Sequence, residues 1–189
     1  MSIKLFKAQC PGVFTTLARL LEPTALFTIS TDYGIAAMRQ ANQEPEMRRV
    51  DGVSFNPRLG RILMILLRDG GVRDPIVFRA ALCALADITP GEYPELPNEV
   101  LALVQTIQDG GIGDERALLI RMACDLDAIR HLHMTSYSVE QRDQVLLAKE
   151  REEYLRCVPK HLEALAGKVL HATHLQRQRL ARDIDRQRE

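Results

Sequence analysis

The sequence predicts an all-α fold. Apolar residues recur at helical spacing along most of the 189-residue chain, and no segment shows the convincing alternation of a strand. Prolines and glycine pairs interrupt the period at intervals that suit ordinary helices. The composition is 46% hydrophobic and 26% charged, without an internal repeat or a long linker. We therefore expect one compact helical bundle.

The N-terminal quarter predicts two helices and a loop. A short apolar helix is expected over residues 13–22. A second is expected over residues 31–42, with Thr31 or Asp32 as its N-cap. Residues 43–57 contain prolines and a glycine that break the helical period, so they predict a loop.

The most apolar part of the chain follows this loop. Leucine and isoleucine recur at helical spacing over residues 59–67, and the glycine pair at 70–71 ends that helix. Asp74 and Pro75 then form an N-cap and a first-turn proline. The helix they open, residues 75–88, is apolar almost all round and is expected to be the central buried helix.

Three further helices complete the predicted bundle. One covers residues 100–107, and Asp114 caps another that runs to about residue 133. Ser138 and Gln141 match a capping box and open a helix to about residue 158. A last apolar stripe lies in residues 162–170, and the densely charged residues after it predict a solvated or frayed helix end.

Composition excludes several classes of protein. The formal net charge is zero and tryptophan is absent, which argues against a nucleic-acid binder with basic patches or aromatic platforms. No apolar run reaches membrane-spanning length, and the N-terminus does not read as a signal peptide. The four cysteines are isolated, as in proteins of a reducing compartment. A cytoplasmic protein without a membrane partner is expected.

Three segments carry a resemblance to a known family. "RRVDGVSFNP" (48–57) has paired arginines, Asp-Gly and a helix-opening proline, and "RAALCALADIT" (79–89) is an alanine- and leucine-rich helix. "RMACDLDAIRHLHM" (121–134) has a leucine and an arginine in the spacing of a later motif. In this order, residues 33–165 resemble the HD domain of RelA/SpoT-type guanosine tetraphosphate hydrolases. Residues 1–32 would be an N-terminal helical segment, and residues 166–189 a C-terminal charged helix.

The resemblance implies that the metal site of the family has degenerated. An HD site uses one histidine, a His-Asp dipeptide and a later aspartate, but the first histidine of this chain is His131. Only Asp87 and Asp125 could still act as ligands, holding Mg²⁺ or Mn²⁺ weakly; no cofactor, metal ligand or catalytic residue is otherwise expected. The degenerate positions implied by the resemblance are Asn56, Ala84, Leu85, Asp87, Cys124 and Asp125.

Two arginines remain from the nucleotide pocket that the resemblance implies. Arg48 and Arg49 stand in the loop before the first ligand position and could pair with a phosphate. The alternative is that both are solvated loop arginines.

The remaining candidate ligands are weaker. Asp127 and His131 share a helix face, which favours a side-chain contact over a metal site. His131 and His133 point in different directions on a helix, so they do not chelate one ion. His171 and His174, even with His161, lack a cysteine or acid at the spacing of a zinc site. Acidic neighbours also disfavour Cys124 as a nucleophile.

These observations predict a catalytically degenerate binding or regulatory module, with a protein partner or a nucleotide as its ligand. One alternative is an active metal-dependent phosphohydrolase with a rearranged site. In that enzyme Asp87, Asp125 and Asp127 would supply carboxylates, and the two loop arginines would hold phosphate. Another alternative is a structural homo-oligomer without a ligand.

Overall fold

A computed structural model describes residues 2–43, 49–50, 53–54, 57–88, 95–110, 113–156 and 158–188. These residues are helical apart from turns and a hairpin of two-residue strands, so the predicted all-α class is confirmed. The helices are α1 (Ser2–Gln9), α2 (Pro11–Leu20), α3 (Pro23–Gln43), α4 (Pro57–Arg68), α5 (Pro75–Leu85), α6 (Asn98–Gln108), α7 (Glu115–Arg130), α8 (Val139–Arg151) and α9 (Glu163–Arg188). Strands β1 (Arg49–Val50) and β2 (Val53–Ser54) pair antiparallel.

The chain divides into two compact units, where the sequence predicted a single bundle. Unit 1 is Met1–Ile120 and unit 2 is Arg121–Glu189. The division falls inside α7, and a continuous helix carries none of the proline- or glycine-rich signals that mark a linker. The predicted boundaries after residues 32 and 165 stay predictions.

Unit 1 has α5 in its core, as the sequence predicted. Helix α5 contacts α3, α4 and α6 and buries one aromatic and several aliphatic side chains. The Asp74 carboxylate accepts a hydrogen bond from the Ile76 amide (2.9 Å), which confirms the predicted N-cap. Phe6 of α1 stacks on Tyr33 of α3 with ring centroids 4.5 Å apart and fixes the N-terminal helix against the core.

Helix α3 corrects the prediction of a helix over residues 31–42. It begins at Pro23, eight residues before Thr31, so neither Thr31 nor Asp32 is an N-cap. Proline is tolerated at the first turn of a helix, because the amide it lacks has no intrahelical partner there. The Thr31 hydroxyl donates to the Phe27 carbonyl (3.1 Å), so a residue that resembles a cap is accommodated inside the helix.

Unit 2 contains helices α8 and α9 and the C-terminal part of α7. The capping box of α8 is confirmed: the Gln141 amide donates to Ser138 Oγ (3.2 Å), and the Ser138 amide donates to Gln141 Oε1 (2.9 Å). The prediction that α8 extends to about residue 158 was wrong, because the helix ends at Arg151. The chain turns there so that a 3₁₀ turn can bury Tyr154 and Leu155 against α9.

Candidate functional site

The structure describes only some of the unit 1 residues that the resemblance to HD domains assigned to a metal or phosphate site. Arg48 and Asn56 lie outside the described residues, and the structure gives only the backbone of Arg49, in β1. Ala84 and Leu85 are half-buried in the last turn of α5. The proposed phosphate contacts of the two arginines stay predictions.

Asp87 ends α5. Its φ of 52° is in the left-handed region, and its amide donates to the Ala84 carbonyl (3.2 Å). The Ile88 amide donates to the Cys83 carbonyl (3.0 Å). Together these bonds form a Schellman motif, with aspartate at the position that glycine usually occupies. Asp87 therefore has a backbone role at the helix end, and its exposed side chain faces solvent.

Cys124 and Asp125 are half-buried on the part of α7 that belongs to unit 2. Asp125 Oδ2 accepts a hydrogen bond from the Tyr154 hydroxyl and lies 2.9 Å from Lys149 Nζ. Burial, and then the carboxylate of Asp125, raise the pKa of Tyr154 far above its usual value, so the phenol stays protonated and donates.

The contacts of Asp125 belong to a balanced network of four charges. Lys149 Nζ is also 2.7 Å from Glu152 Oε1, and Glu152 Oε2 is 3.3 Å from Arg121 Nη2. The Arg121 guanidinium lies 4.4 Å from the centroid of the Tyr154 ring, in cation–π geometry. Two cations and two carboxylates compensate one another around one phenol. This arrangement joins α7, α8 and the 3₁₀ turn that holds Tyr154. The contacts of the Asp125 carboxylate are therefore with side chains of the same chain.

The predicted contact between Asp127 and His131 is present. His131 Nδ1 lies 3.3 Å from Asp127 Oδ1 and 2.8 Å from the Asp127 carbonyl oxygen. His133 is exposed in the 3₁₀ turn after α7. His174 lies 2.8 Å from Gln178 Nε2 on α9. In the described part of the chain, no group of three histidine, cysteine or acidic side chains could hold a metal ion. Weak Mg²⁺ or Mn²⁺ binding stays a prediction.

Unit 1 has a cleft of about 220 Å³ between α3 and α5. The carboxylate of Asp32 and Nε of Arg79 form an ion pair at this cleft, 2.6 Å apart. Burial raises the pKa of the Asp32 carboxyl, although Arg79 opposes that effect. Burial, reinforced by the charge of Asp32, also raises the pKa of the Cys83 thiol to about 12. A raised pKa disfavours the thiolate, the nucleophilic form of a cysteine.

Unit 2 has a larger groove, of about 430 Å³, along one face of α9. The residues that α9 contributes recur every three or four positions from Ala164 to Arg179, so they form one stripe of the helix surface. Arg130, Lys168 and Arg179 are cationic, and no described residue that lines the groove is acidic. The other lining residues are Gly167, His171, Ala172, Leu175 and Gln176.

Gln176 shapes the floor of this groove, which we call the α9 groove. Its buried side chain donates from Nε2 to the Arg130 carbonyl oxygen at 3.2 Å. That hydrogen bond holds α9 beside the C-terminal end of α7. Arg130 and Lys168 line the groove and also interact with other residues of the chain.

The sequence does not predict the α9 groove. Its charged C-terminal residues favour a solvated helix end, because a charge-rich helix face is usually solvated. A signal was present, since the chain has no acidic residue from Ala164 to Arg182 although it has 25 elsewhere. Such a one-sign segment in a chain of zero net charge predicts a local positive potential.

The described residues include no helix long and apolar enough to cross a bilayer. Comparison with protein-family models, curated proteins and solved structures gave no match.

Proposed function

We propose that this chain is a non-catalytic binding module that holds an anionic partner in the α9 groove. The observation that carries the proposal is the charge of the groove, which has three cationic side chains and no described acidic one in a chain of zero net charge. Opposite charge attracts an anionic ligand and fixes its orientation, and guanidinium groups pair with carboxylate or phosphate through two hydrogen bonds.

The resemblance to a degenerate HD motif motivates the same proposal. In this proposal the chain is an HD-domain-like protein of the cytoplasm that has lost the metal site and acts by binding. The engaged state of Asp125, with Lys149 and Tyr154 on one of its oxygens, supports a structural role for that carboxylate. The position of Asp87 at the end of α5 supports a structural role for the other candidate ligand as well.

Titration calorimetry tests the binding proposal, with guanosine tetraphosphate and poly-L-glutamate as anionic probes. We expect at least one of them to bind, with an affinity that falls as the salt concentration rises, because ions screen surface charges.

The double variant Lys168→Glu/Arg179→Glu should lose binding of the anionic probes. The matched control Lys160→Glu/Arg182→Glu makes the same charge change at exposed positions that do not line the groove, and it should keep binding.

Hydrolysis assays and metal analysis of the same protein distinguish binding from catalysis. Hydrolysis of guanosine tetraphosphate and of simple phosphate esters should stay at background with Mn²⁺ or Mg²⁺, and the purified chain should hold no stoichiometric transition metal. Turnover that Asp125→Ala abolishes would replace the binding module with the phosphohydrolase alternative. Loss of probe binding in both double variants alike would remove the groove as the binding site.

A further inference from the structure

We propose that the occupant of the α9 groove is an acidic amphipathic helix of a partner protein, lying lengthwise along α9. This inference rests on the proposed function, because it assigns a chemical class to the anionic partner. Gly167, the spacing of the cations and the exposed Leu175 indicate this occupant.

Gly167 forms part of the groove in the second turn of α9, where glycine weakens a helix. Apart from its chain neighbours and the adjacent backbone of α9, a Cβ atom built at Gly167 would meet no atom within 4 Å. The packing of the chain therefore gives no reason for a glycine there. A missing side chain does allow the backbone of another helix to approach closely. We infer that the occupant packs against α9 at Gly167.

The neighbouring residues extend this small-residue surface. Ala164 and Ala172 lie one turn or so on either side of Gly167 and line the same groove; Ala164 is exposed, and Ala172 is buried. Leu175 is 42% exposed at the next position of the stripe. A partner helix with an apolar stripe at intervals of three and four residues would cover Leu175 and pack over Gly167 and Ala164.

The cations are spaced for a helix and not for a single phosphate group. Lys168 and Arg179 are roughly 16 Å apart along the axis of α9, which is about three helical turns. Carboxylates three turns apart on a partner helix would lie opposite both cations. A lone phosphate is smaller than this separation and would contact only one of them.

A designed peptide tests the inference in the full-length protein. The probe is a fluorescein-labelled, hydrocarbon-stapled helix of about 18 residues, because unstapled helices of this length are marginal in water. It has leucine and alanine on one face, flanked by glutamates three turns apart. One control peptide has the same composition with the apolar stripe scrambled. A second control has lysine in place of every glutamate.

We expect fluorescence anisotropy to show binding of the designed peptide and at least about tenfold weaker binding of both controls. Gly167→Leu should weaken binding of the designed peptide by at least about tenfold, since the leucine side chain would occupy the groove. The matched variant Ala181→Leu places the same side chain on exposed α9 surface outside the groove, and it should change the affinity by no more than about twofold.

The outcomes separate this inference from the proposed function. If guanosine tetraphosphate or poly-L-glutamate binds through Lys168 and Arg179 but the designed peptide does not, the helical partner is wrong and the anionic groove stands. If the scrambled peptide binds equally well, the groove recognises charge alone and the inference fails. Binding that Gly167→Leu leaves intact would also overturn it. If no anionic probe binds, both proposals fail.

Discussion

The backbone amide of Asp87 donates a hydrogen bond to the carbonyl oxygen of Ala84, with an N–O distance of 3.2 Å. The resemblance to HD domains implied that Ala84 stands at the histidine of a degenerate His-Asp metal motif in one register, and that Asp87 stands at the aspartate in another. In the structure they form the end of α5 instead, and the positive φ of Asp87 allows the chain to leave the helix. The aspartate is explained by backbone geometry without a metal.

Asp87→Gly should stabilise the protein. An L-residue in the left-handed region is strained by about 1–2 kcal/mol, somewhat less for aspartate, and glycine removes that strain. The greater freedom of glycine in the unfolded chain offsets part of the gain, so we expect a net increase of up to about 1 kcal/mol. Urea unfolding measures it. Asp87→Val should lose about 1–2 kcal/mol. A stability order with valine above glycine would contradict the cap role.

Tyr154→Phe should lower the unfolding free energy at neutral pH by about 1–3 kcal/mol, because Asp125 loses a buried hydrogen-bond donor. The pKa of Tyr154 is raised in the folded state, by burial first and then by Asp125. The folded protein therefore keeps the phenolic proton above the unfolded pKa of about 10, while the unfolded chain releases it. This contribution to stability is present below pH of about 10 and is lost as the pH rises further.

The pH dependence of the wild type and of Tyr154→Phe should thus differ above pH of about 10. We expect the wild type to lose about 1.4 kcal/mol more per pH unit than the variant. Tyr33, whose pKa burial also raises, is present in both proteins and cancels in the comparison. Chemical denaturation at several alkaline pH values measures the difference, and parallel curves would mean that Tyr154 is not held protonated.

Asp32→Ala should be among the most destabilising changes in unit 1. It leaves the guanidinium of Arg79 largely buried without its partner, and breaking a buried ion pair this way costs about 3–5 kcal/mol. The double variant Asp32→Leu/Arg79→Met replaces both charges with apolar groups and should recover most of that loss. Thermal or urea unfolding of the three proteins gives the comparison. A double variant no more stable than Asp32→Ala would show that the cleft needs the charges themselves.

Gly167→Leu should stabilise the free protein while it blocks the α9 groove. The position is exposed and helical, so leucine improves helix propensity by about 0.5–1 kcal/mol without a clash. A rise in the melting temperature is the expected result. A fall would mean that Gly167 has a packing role inside the chain, and it would contradict a close-packed partner at this position.

Local signals predicted much of the fold. Asp74, Ser138 and Gln141 form the caps that their sequence positions predicted, since capping depends on a few neighbouring atoms. The N-cap predicted at Thr31 or Asp32 was wrong for the same local reason. Both residue types favour the N-cap position, but α3 begins at Pro23 and contains them. Asp32 is instead used in an ion pair with Arg79, far away in sequence. Local patterns do not encode such a partner.

The candidate site was harder to predict than the helices. Asp125 resembled a ligand by its neighbours, but its partners Lys149 and Tyr154 come from elements that only folding brings together. The α9 groove depends on Gln176 reaching the end of α7, which no periodicity specifies. Its sequence signal is the absence of acidic residues from Ala164 to Arg182, and such an absence has no motif spacing that would indicate a site.

Chemical-shift mapping of the isotope-labelled protein, titrated with poly-L-glutamate, tests the central claim most directly. The anionic groove predicts that the largest changes lie on α9 at Ala164, Gly167, Ala172 and Leu175, and that Lys168→Glu/Arg179→Glu abolishes them. Changes centred on the α3–α5 cleft, or spread evenly over exposed basic residues, would contradict it.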